Sequence, residues 1–213
     1  VVVGAAAQTA QGPSTLTCDH LDIDGARQVY HAVGNVHYTQ AGRETSSDQA
    51  ELDATTNQLH LEGRISIRDS GGGAGGVGGF DSINAATIDS DASSGDFTIP
   101  GRFTATREGI EISGDHAKGN TILQKIVISG NVIVTLNHGP RAGSSPAAPT
   151  SAPSTLRCDR LYIDGVRRVY HALGNVHYHE TQNDVTADEA FLREAHAMIH
   201  LDGNVHVRQN GQT

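Results

Sequence analysis

No tryptophan occurs, methionine occurs once, and aromatic residues make up 4% of the 213-residue chain. So thin an aromatic supply is a poor filling for a tightly packed globular core. It suits a fold that is long, layered and only partly closed. Cations are also scarce: 15 Lys and Arg stand against 24 Asp and Glu, leaving a formal charge of −9. An acidic chain repels phosphate backbones, which argues against nucleic acid as a partner. No segment approaches the ~20 consecutive apolar residues of a membrane-spanning helix, and the mean hydropathy is −0.34.

Catalytic signatures are missing as well. There is no G-x-S-x-G, no H-E-x-x-H, no P-loop and no G-x-G-x-x-G in a strand–helix context. Asp22/Asp24 and Asp89/Asp91 alternate on one face, but acids beside turns ordinarily sit at the surface. A glycosidase would need two acids about 5–10 Å apart across a cleft. The expectation is a non-enzymatic protein with no catalytic residue and no cofactor. Cysteine occurs twice, as Cys18 and Cys158, at matching places in two copies of a repeat. Stacked copies hold such positions farther apart than the ~7 Å a disulfide bridges, so no intrachain bridge is expected. A head-to-tail dimer would bring Cys18 of one copy near Cys158 of another. The twelve histidines include the pairs His31/His37 and His171/His177 and the run His177-Tyr178-His179. His60, His200 and His206 fall on polar faces, and no ligand spacing is recognisable. No metal is expected.

What is present is repetition. STLTCDHLDIDGARQVYHAVGNVHY (14–38) recurs as STLRCDRLYIDGVRRVYHALGNVHY (154–178), and 14–68 aligns with 154–208 without a gap. A diverged copy between them shows in the glycines: Gly34/Gly63, Gly101/Gly130 and Gly174/Gly203 are each 29 residues apart. The expected organisation is a signal-peptide remnant or tail (1–13), module 1 (14–69), a Gly-rich loop (70–79), module 2 (80–137), a Pro/Ala/Ser linker (138–153) and module 3 (154–209). VVVGAAA at Val1–Ala7, followed by Gln8, reads as the tail of a secretory signal with its Ala-x-Ala site, or the end of a membrane anchor.

The modules read as strands. In 58–68 (QLHLEGRISIR) Leu59, Leu61, Ile65 and Ile67 share one face, with His60, Glu62, Arg64, Ser66 and Arg68 on the other. Strict alternation of this kind marks a half-buried strand. Module 3 repeats it with Ile199, Leu201, Val205 and Val207. Module 2 shows it in Phe97, Ile99, Phe103 and Ala105, and in Ile126, Ile128, Val132, Val134 and Leu136. Gly-Asn is also a hairpin turn, but a turn at Gly63 or Gly203 would set Glu62 against Ile65 and Asp202 against Val205. Straight strands with inward glycines at 63, 101, 130 and 203 keep the grease together, and such glycines let a sheet bend or two sheets approach closely. Asp188–Met198 has helix formers, but its duplicate Asp48–Gln58 is poorer in them, so both read as strand–turn–strand. The expected shape is 14–16 strands of ~5–6 residues in two facing sheets, ~35 Å long, apolar faces inward.

The pattern A-x-L-D-x(n)-L-x-L-x-G-x-I/V-x-I/V stands at Ala50-Glu51-Leu52-Asp53 with Leu59 to Ile67. It returns more loosely at Ala190-Phe191-Leu192 with Ile199 to Val207. Gly-Asn-Val stands at 34–36, 130–132, 174–176 and 203–205. These motifs resemble the OstA-like family, the LptA/LptC/LptD N-terminal domains of lipopolysaccharide export. The resemblance covers 14–68 and 154–208, and 80–137 more loosely. Gly63-Arg64 and Gly101-Arg102 depart from the triplet. It implies an all-β, V-shaped β-jellyroll of stacked antiparallel strands with an apolar interior, in the periplasm, carrying lipopolysaccharide from inner to outer membrane. It implies as partners lipopolysaccharide or a related lipid, and other OstA-like sheet proteins.

The candidate lipid-lining residues are Leu59, Leu61, Ile65, Ile67, Phe97, Ile99, Phe103, Val132, Val134, Ile199, Leu201, Val205 and Val207. Each buried CH₂ of an acyl chain gains about 0.8 kcal/mol. The same pattern also serves a closed sandwich core. Open terminal strands invite edge-strand addition to related sheet proteins or a head-to-tail homo-oligomer. A surface β-repeat protein of structural or adhesive role, without a lipid, is the competing function.

Overall fold

The computed structural model describes residues 2–3, 14–40, 42–69, 80–107, 109–136, 153–181, 183–193 and 198–209. Among them there is no helix. The strands are β1 (Val2–Val3), β2 (Ser14–Thr17), β3 (His20–Asp24), β4 (Val29–Gln40), β5 (Arg43–Asp53), β6 (Gln58–Asp69), β7 (Ser82–Asp91), β8 (Asp96–Ile99), β9 (Phe103–Arg107) and β10 (Ile110–Gly114). They continue as β11 (His116–Asn120), β12 (Lys125–Leu136), β13 (Ser154–Asp164), β14 (Val169–Glu180), β15 (Asn183–Arg193), β16 (Met198–Asp202) and β17 (His206–Gln209). All belong to one antiparallel sheet.

The sheet is a simple meander. Split strands act as single rungs: β2 and β3 both pair with β4, β8 with β11 and β9 with β10, and β16 and β17 both with β15. Apart from the short β1, this makes about twelve rungs among the described residues, a stack of about 50 Å at ~4.8 Å per rung. The expected ~35 Å was too short. Strands such as β4 and β12 run 12 residues, not five or six, because one strand bends and serves both arms of the V. Pairing is continuous across both linkers: β6 pairs with β7 (Leu61↔Ile88) and β12 with β13 (Ile128↔Leu161). Of 1–13, only Val2–Val3 are described, paired with β2. The rest of the signal reading, the Gly-rich loop 70–79 and nearly all of the linker 138–153 lie outside the described residues.

The bend comes from Gly-Asn. Gly34-Asn35, Gly130-Asn131, Gly174-Asn175 and Gly203-Asn204 all have positive φ at both residues. Two residues there oppose a single aspartate on the preceding rung, which is a β-bulge. No hairpin forms at Gly63, which lies within β6, or at Gly203, whose flanking strands both stay on β15. The aspartate is the other half of the corner. Asp19, Asp115, Asp159 and Asp188 each accept from the Asn side-chain amide sixteen residues later, at 2.9, 2.6, 2.8 and 2.9 Å. In the fifth corner Asp48 receives the Arg64 backbone N–H at 3.1 Å and its guanidinium at 2.8 Å. These hydrogen bonds, with the adjacent positive charge, hold the Asp48 carboxyl below the usual carboxylate range. A Cβ on Gly130 would lie 2.8 Å from Asp115 Oδ2. The glycines are therefore required by handedness and by the aspartate, not by a close approach of two sheets. Gly101 is different: its φ is not positive and a Cβ there meets nothing within 4 Å. Ala86 stands where the aspartate would be.

Candidate functional site

The interior of the V is built from four inward columns, two on each side of the corner. On β6 they are Leu59 and Leu61 before the corner and Ile65 and Ile67 after it. Cross-strand register carries these columns along the stack: Leu61 faces Ala50 on one side and Ile88 on the other, and Ile128 faces Ala117 and Leu161. In the middle rungs the columns hold large side chains. Phe97, Ile99, Phe103, Val132 and Val134 are all buried, as are Leu61, Ile65 and Ile67, and they form one continuous cluster spanning both arms.

Toward the ends the filling changes. The same columns hold Ala32, Ala50 and Ser47 near the first rung and Ala172, Ala187 and Ala190 near the last. Large inward residues there are uncovered: Ile23 (55%), Tyr30 and Leu52 at one end, Ile199, Val205 and Val207 (65%) at the other. Ile23 pairs with Tyr30 and Tyr30 with Leu52, so these three make one apolar strip. Leu201 and Leu59 are partly buried against the core. The residues selected from the sequence thus fall on one inward surface, all of them buried or partly buried except Ile199, Val205 and Val207 on the last rung.

Periodicity did not select Ile23, Tyr30, Leu52, Leu161, Ile163 or Val176. In β4 the outward positions include Val29 and Val33 and the inward ones include Tyr30, so alternation is weak there. The signal was available in the pairing of Leu21/Ile23 with Leu161/Ile163 across the duplication. Cys18 and Cys158 are not in a disulfide; both are buried and inward, beside the corner. Burial pushes the Cys158 thiol up to about 11, which leaves it protonated and unreactive at neutral pH. An intermolecular Cys18–Cys158 bridge is not compatible with that placement. Ser47 Oγ is also buried among these residues and has no hydrogen-bond partner among the described ones. Its counterpart in module 3 is Ala187.

Polar chemistry lies outside the V. His60 Nδ1 is 2.6 Å from Asp89, His171 Nε2 is 3.0 Å from Glu189, and His179 Nδ1 and His177 Nε2 are 2.6 and 3.5 Å from Asp184. The hydrogen bond from His179 lowers the Asp184 carboxyl. Among the described residues no three such groups converge as a metal site. Asp91, like Asp24, Asp53 and Asp164, caps a hairpin turn by accepting backbone N–H groups two or three residues on.

No protein-family model matches the chain, and no curated protein sequence matches it. Among solved structures, the fold is similar to that of LptH from Pseudomonas aeruginosa, described as the LptA-homologous periplasmic component of the conserved lipopolysaccharide transport device. The TM-score is 0.50 at 7% identity, over 59% of this chain and 91% of LptH. At that identity the likeness is one of fold. The chain has the all-β jellyroll architecture that the OstA-like resemblance implied, and its stack extends beyond the part that matches LptH.

Proposed function

We propose that this protein binds the acyl chains of lipopolysaccharide, or a related lipid, inside the V and serves as a non-enzymatic bridge element of lipopolysaccharide export in the periplasm. The observation that carries this is the uncovered inward face at both ends of one continuous stack. Aliphatic residues that would be core in a closed sandwich are open there. A lipid needs no polar chemistry to bind such a surface, since about 0.8 kcal/mol per buried methylene suffices. The fold of LptH, a transport component by its description, supports the same reading.

The lining residues divide by role in this proposal. Ile199, Leu201, Val205, Val207 and Leu59 meet lipid directly toward the ends. Phe97, Ile99, Phe103, Val132 and Val134, with Leu61, Ile65 and Ile67, take it up when the two arms part. Related sheet proteins, or a second copy head to tail, add at the edges of the first rung, along β3 where β1 does not pair, and of the last rung. The three modules act as one lipid path.

The test is site-specific photocrosslinking in a Gram-negative host, with the probe at Leu52, Phe103 or Val207 and, as controls, at the outward His60 and His200. Inward probes should capture lipopolysaccharide and outward probes should not. Leu61→Asp or Val205→Asp should remove the adduct in a folded variant. Adducts that survive both substitutions, or protein that stays lipid-free and takes up no added lipopolysaccharide, would leave a structural β-stack without a ligand.

A further inference from the structure

The hairpin turns that lead into β4, β6, β8, β12 and β14 form one line along the stack: 25–28, 54–57, 92–95, 121–124 and 165–168. Three of them are made of small or polar residues, GARQ, ATTN and ASSG. The other two are not. Turn 121–124 carries Ile122 (67% exposed) and Leu123 (56%), and turn 165–168 carries Val166 (69%). The two turns touch: the Gly165 N–H donates to the Gln124 carbonyl at 2.8 Å. Three large aliphatic side chains are therefore exposed on adjacent loops, with Ile122 lying beside Gly95 of the preceding turn.

Their surroundings are cationic in a chain of net charge −9. Lys125 follows one turn, and Arg167 and Arg168 lie in the other. Two acids are near: Asp96, which accepts from the Asn120 amide at 2.7 Å, and Asp164, which stands opposite Lys125 and is turned into its own loop, where it accepts the Arg167 backbone N–H at 2.9 Å and lies 3.8 Å from the Arg167 guanidinium. The duplicated turn shows the change directly: Ala26 and Gln28 of the first module are Val166 and Arg168 in the third. Acids stand on the other side: Asp91 caps turn 92–95, which touches turn 121–124 where the Thr121 N–H donates to the Gly95 carbonyl at 2.8 Å, and Asp24 and Asp53 cap the turns farther along. An apolar tip with cations on its C-terminal side matches a bilayer interface with anionic headgroups, and the acids on its other side are repelled by it. We propose that turns 121–124 and 165–168 form a reversible docking site for an anionic bilayer surface, holding the C-terminal half of the edge against the membrane.

The absence of tryptophan makes the test direct. Leu123→Trp places one reporter on the site, and Thr55→Trp places one on an equivalent polar turn. With vesicles of phosphatidylglycerol and phosphatidylcholine, free of lipopolysaccharide, the indole emission of the Leu123→Trp variant should move to the blue and be quenched by brominated acyl chains. The Thr55→Trp variant should show neither effect. Reversing Arg167 and Arg168 to Glu should weaken partitioning by about tenfold or more, and high salt should weaken it likewise. No partitioning, or equal quenching at both positions, would overturn the proposal. So would a blue shift without vesicles at a dimer mass, which would make a second copy the occupant. Because no lipopolysaccharide is present, failure here leaves the lipid path inside the V untouched.

Discussion

Gly130 and Gly101 look alike in the sequence, each at the centre of an alternating strand, but they stand in different physical situations. Gly130 has a φ of +76°, and a Cβ would run into Asp115. Gly101 has neither constraint. Gly130→Ala should therefore cost about 1–2 kcal/mol from the left-handed backbone alone, and more as Asp115 is displaced. Gly101→Ala should fall within about ±0.5 kcal/mol. Urea titration of both variants checks this; equal losses would mean that the corner is not what holds the bend. The aspartate sixteen residues before each corner Asn was legible in principle, as D-x(14)-G-N in the sequence. A single polar residue among many on an outward face carries no signal until its partner is known.

At the scale of the element, the turns explain how long strands stay in register. Asp53 and Asp91 each fold back onto their own hairpins. The Thr55 hydroxyl and N–H lower the Asp53 carboxyl, and the Ser93 hydroxyl with the Ser94 and Ser93 N–H groups lower that of Asp91, both from an ordinary value of 3.8. A carboxyl whose folded value is depressed contributes stability that is complete above its unfolded value. That contribution is lost as pH falls through the folded value. Melting temperature should thus drop as pH is taken from about 5 to about 2, and the double variant Asp53→Asn, Asp91→Asn should show a shallower drop. Identical slopes would show that these turns do not contribute to acid sensitivity. Strand identity was readable wherever the outer face is charged, as in β6. It was less readable in β4, where Val29 and Val33 place apolar side chains outward and blur the period of two.

At the scale of the whole molecule, burial is graded along the stack. Ile128 and Ala105 in the middle are fully covered, while Ile23 and Val207 at the ends are more than half exposed. Apolar cover sets the free energy of local opening, so hydrogen exchange should be slowest in β12 and β9 and faster in β3 and β17. A uniform rate across the rungs would contradict the graded core, and with it the two open ends on which the lipid proposal rests. Under the proposed function, the same gradient would have lipid enter most easily at the ends, with passage through the centre the slow part of the path.

The sequence by itself determined the all-β class, the duplication, the phase of the strongest strands and the passage of the chain through its Gly-Asn pairs without a hairpin. Each of these rests on local covalent geometry: alternate side chains point to opposite faces, and a one-residue slip would expose every apolar residue of a strand. Tertiary structure alone decided which inward residues are core and which are open. Ile65 and Val205 are equivalent in the repeat, yet one is 2% and the other 43% exposed, because burial depends on the number of neighbouring rungs and the last rung has a neighbour on one side. It also decided that Ile122 and Val166, far apart in sequence, share one edge, since only stacking brings their turns together.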